Sequence, residues 1–192
     1  TRLQVEHAVT ELVTGLDLVE QMFRVAAGEK ILFHQEDVTT KGWAIEARLY
    51  AEDPVRGFMP SIGRLTRYLP PPSDPAIRID TGVNEGSEIS MFYDPMIAKL
   101  IVHAPSRIKK KKKMKLAIKA YEIEGVETTL EFGEFAIAHP AFKSGQFDTR
   151  FVENYMPEFL LREEKINHTL ARFAAWHFEN QKSVLVLPDI EK

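Results

Sequence analysis

The chain has 192 residues, of which 44% are hydrophobic and 28% charged, a balance that suits one sizeable core and excludes a disordered polymer. Its 25 basic and 28 acidic residues leave a formal charge of -3, so nucleic acid and anionic membrane are excluded as electrostatically driven partners. The absence of cysteine excludes disulfides and thiolate metal sites and agrees with a reducing compartment, and no apolar run approaches the ~18 residues of a membrane span.

Residues 1–7, Thr-Arg-Leu-Gln-Val-Glu-His, alternate strictly between polar and apolar. The alternation predicts an extended strand with Arg2, Gln4 and Glu6 on one face and Leu3 and Val5 on the other. Two readings stand side by side: a half-buried antiparallel strand bearing a solvated ion pair, or a short wall that combines anion-holding and proton-accepting groups.

Val9 to Gly28 reads as helical, interrupted at Gly15, with Asp17 capping the second piece and Gly28 ending it. Leu18, Met22, Val25 and Ala26 share one face of that piece. Ala44 to Leu49, Arg64 to Leu69, Ala76 to Asp80 and Ile97 to His103 read as strands, with Pro70 to Pro75 a loop. Short turns between them predict an antiparallel sheet. Ser106 caps a helix from about Arg107 to Glu122, whose apolar positions Ile108, Met114, Leu116, Ala117, Ile118 and Tyr121 frame Lys109 to Lys113. Five consecutive positions sweep around a helix rather than forming a stripe, so this lysine run reads as solvated surface. Thr128 to Ala138 is helical up to His139-Pro140, and Phe147 to Tyr155 leads into a final helix before Met156-Pro157. In the tail, Ile166, Leu170, Phe173, Ala174 and His177 fall at helical spacing.

The fold class is therefore α+β, a mainly antiparallel sheet flanked by helices with a helical tail. Residues 1–157 form the main domain and 158–192 a helical tail or linker. The six histidines are scattered without ligand spacing, so no metal site is read from this chain.

Several blocks in order carry a family resemblance. Thr1 to Glu11 resembles the N-T-R-[LI]-Q-V-E-H-P-V-T-E signature of the biotin carboxylase family of ATP-grasp ligases, with Ala8 in place of the usual proline. Thr14 to Val19, Arg24 to Gly28, Gly42 to Pro54, Phe58 to Ser61 and Tyr93 to Leu100 resemble further blocks of that family. The resemblance covers residues 1 to about 157 and implies the C-terminal subdomain of a biotin carboxylase, with residues 1–7 a strand of its central ATP-grasp part.

The resemblance implies an enzyme that carboxylates biotin on a carrier protein with ATP, Mg and bicarbonate. Its glycine-rich phosphate loop, adenine pocket and metal-binding carboxylates belong upstream, so this fragment alone is expected to bind no cofactor and to be inactive. Activating bicarbonate as a mixed anhydride with phosphate and deprotonating a ureido nitrogen both concentrate negative charge, which fixed cationic donors stabilise. By resemblance, Arg2 holds bicarbonate through its planar fork, and Glu6 is the general base that takes the bicarbonate proton. Gln4 and the backbone of Val5 complete the bicarbonate cradle; Gln4 reads equally well as a plain strand amide. The resemblance places Arg48 at the biotin ureido oxygen, against the enolate-like anion, with Tyr50 where many members carry Asn. Asp94 reads either as lining the biotin end or as ordinary Asp-Pro turn chemistry.

Arg172 to Trp176 resembles the continuation of multi-domain acyl-CoA carboxylase α subunits of propionyl-CoA or methylcrotonyl-CoA type. Acetyl-CoA carboxylase and fatty acid metabolism belong to the same range of parents. The implied partners are a biotin carrier domain, a carboxyltransferase subunit and a second copy in a homodimer, in the cytoplasm or, for a eukaryotic parent, the mitochondrial matrix. The alternative is a non-catalytic assembly module that supplies the dimer surface or carrier dock of a pyruvate or urea carboxylase.

Overall fold

The computed structural model describes residues 2–72 and 74–182, which fall into two units divided after Gly145. The first unit opens with α1 (His7–Thr14) and α2 (Leu18–Ala26). Gly15 ends α1 in the left-handed region (φ 76°), and its N–H donates to the Glu11 carbonyl at 2.8 Å. Asp17 caps α2 by accepting from the Glu20 N–H at 2.8 Å.

β1 (Trp43–Tyr50) follows, then the short β2 (Glu52–Asp53), β3 (Met59–Pro60), β4 (Gly63–Arg64) and β5 (Arg67–Leu69), and then β6 (Ile77–Thr81), β7 (Glu88–Ile89) and β8 (Met96–Ala104). α3 (Arg107–Lys119), β9 (Glu122–Glu124), α4 (Leu130–Ala138) and α5 (Pro140–Ser144) complete the unit. The main sheet has the order β1-β8-β6, antiparallel throughout, and three two-stranded pairs surround it.

The register of the main sheet decides what each face carries. Ile45, Ala47 and Leu49 lie in rows with Val102, Leu100 and Ala98, continued by Ile77 and Ile79. This apolar face packs with Met114, Ala117 and Ile118 of α3 and Leu130 and Ile137 of α4. Leu49, Leu100, Val102 and Met114 are at most 1% exposed, and each such side chain contributes about 1.5–3 kcal/mol of burial. The other face carries charge: Arg48, Lys99 and Asp80 form one row, and Glu46, Ile101 and Arg78 the next. α1 is tied to this face, because Glu11 accepts from Arg78 at 2.6 Å and also from the Leu18 N–H at 2.8 Å. Gly42 (φ 71°) leads the chain into β1 where a Cβ would collide with the His103 ring and the Ala104 carbonyl.

Several sequence expectations are corrected. Residues 2–4 are not a strand: Val5 and Glu6 form a turn, with the Gln4 carbonyl accepting from the His7 N–H at 3.2 Å, and α1 starts at His7. Alternation is only a tendency until a neighbouring strand supplies ladder bonds, and here the Gln4 carbonyl closes a turn instead. Arg64 to Leu69 is two strands, β4 paired with β7 and β5 with β9, bent at the fully buried Leu65 where Gly125 packs against the Arg64 carbonyl. α3 stops at Lys119 because 122–124 leave to pair with β5. Pro140 starts α5 rather than merely ending α4, a role open to proline because the first helical N–H has no partner anyway.

The lysine run is less freely solvated than its spacing predicts. Lys109 and Lys112 are exposed, but Lys110 donates to the Ala44 carbonyl at 3.0 Å, Lys111 to the Lys143 carbonyl at 2.9 Å and Lys113 to Asp74 at 2.8 Å. Ile108 and Leu116 of the same helix are exposed rather than core residues.

In the second unit, α6 (Phe151–Lys182) runs through Pro157, where the sequence predicts a stop. One missing N–H is absorbed by a 32-residue helix whose next residues are good helix formers. Leu170, Phe173, Trp176 and Phe178 are exposed on it. The end of the predicted tail, 183–192, lies outside the described residues, among which no helix is long and apolar enough to cross a membrane.

Candidate functional site

β1 sets the backbone of the site. Thr129 fastens the strand at Arg48 and Tyr50: its hydroxyl accepts from the Tyr50 N–H at 3.1 Å and donates to the Arg48 carbonyl at 3.3 Å, while its N–H donates to the Tyr50 carbonyl at 3.1 Å. A bulge lies between Leu49 and Tyr50, which pair with Ala98 and Met96.

The Arg48 guanidinium is held from two sides. Its Nε donates to Glu46 at 3.2 Å within the strand, and its Nη2 donates to Glu6 at 2.9 Å, across 42 positions of sequence. Burial alone would pull the Arg48 pKa down, but the interactions with Glu46 and Tyr50 outweigh it and push the pKa up. Arg48 is 38% and Glu6 56% exposed, whereas Glu46 is 6% exposed. The pair thus stands at the surface with one buried counterion beneath it.

Behind it, Asp80 accepts from Arg78 at 2.8 Å and from Lys99 at 2.9 Å. Burial pulls the Asp80 pKa up, yet these bonds win and hold its carboxyl below the usual carboxylate range. Lys99, opposite Arg48 in the register, is neutralised by Asp80 rather than repelling its neighbour.

Arg2, Gln4 and Glu6 are exposed and line one cleft of about 760 Å³ with His7 and Thr10. Leu18, Met22, Val25 and Ala26 of α2 form its opposite wall. The apolar face that these residues share is therefore a cleft wall, with Met22 and Val25 about half exposed. Leu3 and Val5 are half-buried, so the alternation of exposure survives although the strand does not. Val5 is not among the lining residues, and Arg48 reaches the cleft through Glu6. Asp94 accepts from the Met96 N–H at 2.8 Å, the Asp-Pro turn geometry.

A cleft edged by arginine, amide and carboxylate suits a small anion, with a proton acceptor beside it. A metal has less to meet, since among the described residues no group of three or more His, Asp or Glu side chains could hold an ion. The sequence missed Thr129 and the Arg78–Asp80–Lys99 network. The alternation of Arg78 and Asp80 in their strand was the available signal for the network, while Thr129 carried none.

Fold and site together define an α+β domain with an arginine-carboxylate edge. Residues 46–154 match the biotin carboxylase C-terminal domain profile, and residues 1–33 match the profile of the carbamoyl-phosphate synthase L chain, ATP binding domain. The first match covers more than half of the chain, which belongs to the biotin carboxylase C-terminal domain family. It is 50% identical over 200 residues to the propionyl-CoA carboxylase alpha chain of Ruegeria pomeroyi, covering 92% of this chain and 29% of that one. It is 47% identical over 160 residues to the mitochondrial methylcrotonoyl-CoA carboxylase subunit alpha of rice, covering 83% and 22%. The 2-oxoglutarate carboxylase biotin carboxylase domain dimer of Hydrogenobacter thermophilus, in complex with MgADP, ADP and bicarbonate, superposes with a TM-score of 0.80 at 43% identity, covering 83% of this chain and 35% of that one. The chain thus spans less than a third of the curated relatives described.

Proposed function

We propose that this chain is the C-terminal portion of a biotin carboxylase, which as a whole carboxylates carrier-bound biotin with ATP and bicarbonate. The single observation that carries the reading is the 2.9 Å contact between Arg48 and Glu6, which joins two separate blocks of the family resemblance at one point. Arg2 and Gln4 hold bicarbonate at the cleft edge, with the Val5 backbone behind them, and Glu6 takes its proton. Arg48 presents its remaining N–H donors to the biotin ureido oxygen, and its fixed charge favours negative charge there. ATP, bound with Mg by the upstream part of the enzyme, supplies the phosphoryl group that activates bicarbonate. The match of residues 1–33 to an ATP binding domain profile supports assigning residues 1–7 to that central part, with the C-terminal subdomain running to about residue 157.

The similarity to propionyl-CoA and methylcrotonoyl-CoA carboxylase α chains favours a parent of that type, working with a biotin carrier and a carboxyltransferase subunit. A homodimer has support from the dimeric domain of the Hydrogenobacter enzyme. The cytoplasm or the mitochondrial matrix is the proposed location, the latter in keeping with the rice relative's name.

The test compares the 192-residue chain, free of host carboxylase, with a complete biotin carboxylase carrying this sequence. The reading expects bicarbonate-dependent ATP hydrolysis only from the complete enzyme. Hydrolysis by the chain alone contradicts it.

A further inference from the structure

Glu46, on the polar face of the main sheet, touches Arg48 directly yet has no part in the proposed chemistry. Glu46 is 6% exposed, and its Oε1 accepts from Arg48 Nε at 3.2 Å. Its Oε2 is sealed from solvent and has no hydrogen-bond partner among the described residues. A buried acceptor without a donor works against folding, since it loses water and gains nothing in exchange. Its neighbour in the register, Ile101, is apolar and fully buried, which shows what this row of the sheet accommodates without such a cost. Glu46 is thus poorly suited to its place as a packing residue and well suited to holding Arg48.

Resting on the function proposed above, we infer that Glu46 is a positioning residue, which fixes the Arg48 guanidinium by its Nε side so that the Nη edge faces Glu6 and the biotin end of the site. A guanidinium has five N–H donors in one plane, so anchoring Nε sets the direction of the other four. The anchor is itself rigid, because Glu46 projects from a strand paired along its length with the central β8 and lies buried. Glu6 cannot serve as the anchor, being more than half exposed and mounted on a turn.

The experiment uses a complete biotin carboxylase carrying this sequence, with free biotin as acceptor, and compares Glu46→Leu, Glu46→Gln and Arg48→Ala. Glu46→Leu removes the anchor and the orphaned oxygen together. The inference expects its kcat/KM for biotin to fall about 10²-fold, the scale of a small misplacement in a site, with a melting temperature no lower than wild type. Glu46→Gln retains an oxygen acceptor for Nε and is expected to stay within about tenfold of wild type. A merely structural residue would move stability and activity together, and in the same direction. Wild-type kcat/KM in Glu46→Leu alongside a loss in Arg48→Ala overturns the inference and leaves the proposed function standing, as does a joint fall of activity and melting temperature in Glu46→Leu. An Arg48→Ala enzyme with undiminished biotin carboxylation overturns the proposed role of Arg48 itself, and the inference with it.

Discussion

The N-terminal turn and the three-stranded sheet both supply the candidate site, yet they hold their side chains by opposite means. Arg48 stands on a strand locked by β8 on one side and by Thr129 on the other, with a buried carboxylate beneath its charge. Glu6, Gln4 and Arg2 stand on a turn and an irregular segment, exposed along a cleft whose far wall is the half-exposed face of α2. The sheet can orient a group by itself, whereas the turn presents groups that depend on whatever fills the cleft. Changes at the exposed turn residues should therefore lower activity with little effect on stability, whereas the buried face of the sheet should set stability and only its charged edge at Arg48 should matter to chemistry.

The largest expected effect lies in the turn. In a complete carboxylase, Glu6→Gln should lower turnover about 10³-fold and Arg2→Ala about 10²-fold or more, the usual scale for losing a general base or an anion-stabilising donor. The same changes in the 192-residue chain should shift urea-unfolding stability by no more than about 0.5 kcal/mol, because both side chains are exposed. The sheet should behave in reverse. Leu100→Ala, at the centre of the apolar face with no exposure, should cost about 3 kcal/mol in the same measurement.

A smaller effect tests the charged face. Asp80→Asn removes the charge and one of the two acceptor oxygens that serve Arg78 and Lys99 and should cost about 1–2 kcal/mol near neutral pH. The Asp80 pKa is depressed in the fold, so its contribution is present above the ordinary aspartate range near 4 and is lost as pH falls through the lower folded value. The difference between wild type and variant should therefore shrink on acidification. The smallest effect concerns the cleft wall: Met22→Ser, about half exposed, should change stability by no more than about 0.5 kcal/mol. A loss of 2 kcal/mol or more would mean that α2 belongs to the core.

Much of this division was legible in the sequence, for local reasons. The Gly15 break, the Asp17 cap and the Ser106 cap act within one helical turn and were readable as such. The alternation in β1 puts Glu46 and Arg48 on one face, and the same signal was present but unread for Arg78 and Asp80 in β6, because side-chain direction in a strand follows from the backbone alone. Residues 2–6 defeated the same rule because alternation fixes which side chains are exposed, not whether a partner strand exists. The bend at Leu65 depended on tertiary context that no window of sequence contains, and Pro157 misled because one missing N–H does not by itself stop a long run of helix formers. Of the site, the resemblance assigned roles to Arg2, Glu6 and Arg48, while the buried state of Glu46 and the clasp of Thr129 on β1 became visible only with the fold.

The central claim is that Glu6 and Arg48 act as one unit, and a double-mutant cycle in a complete carboxylase tests it most directly. Glu6→Gln, Arg48→Ala and the double variant would be compared by kcat/KM for biotin. The contact at 2.9 Å predicts strong non-additivity, with the double variant little worse than the more impaired single variant. A double variant whose loss equals the product of the two single losses would contradict it.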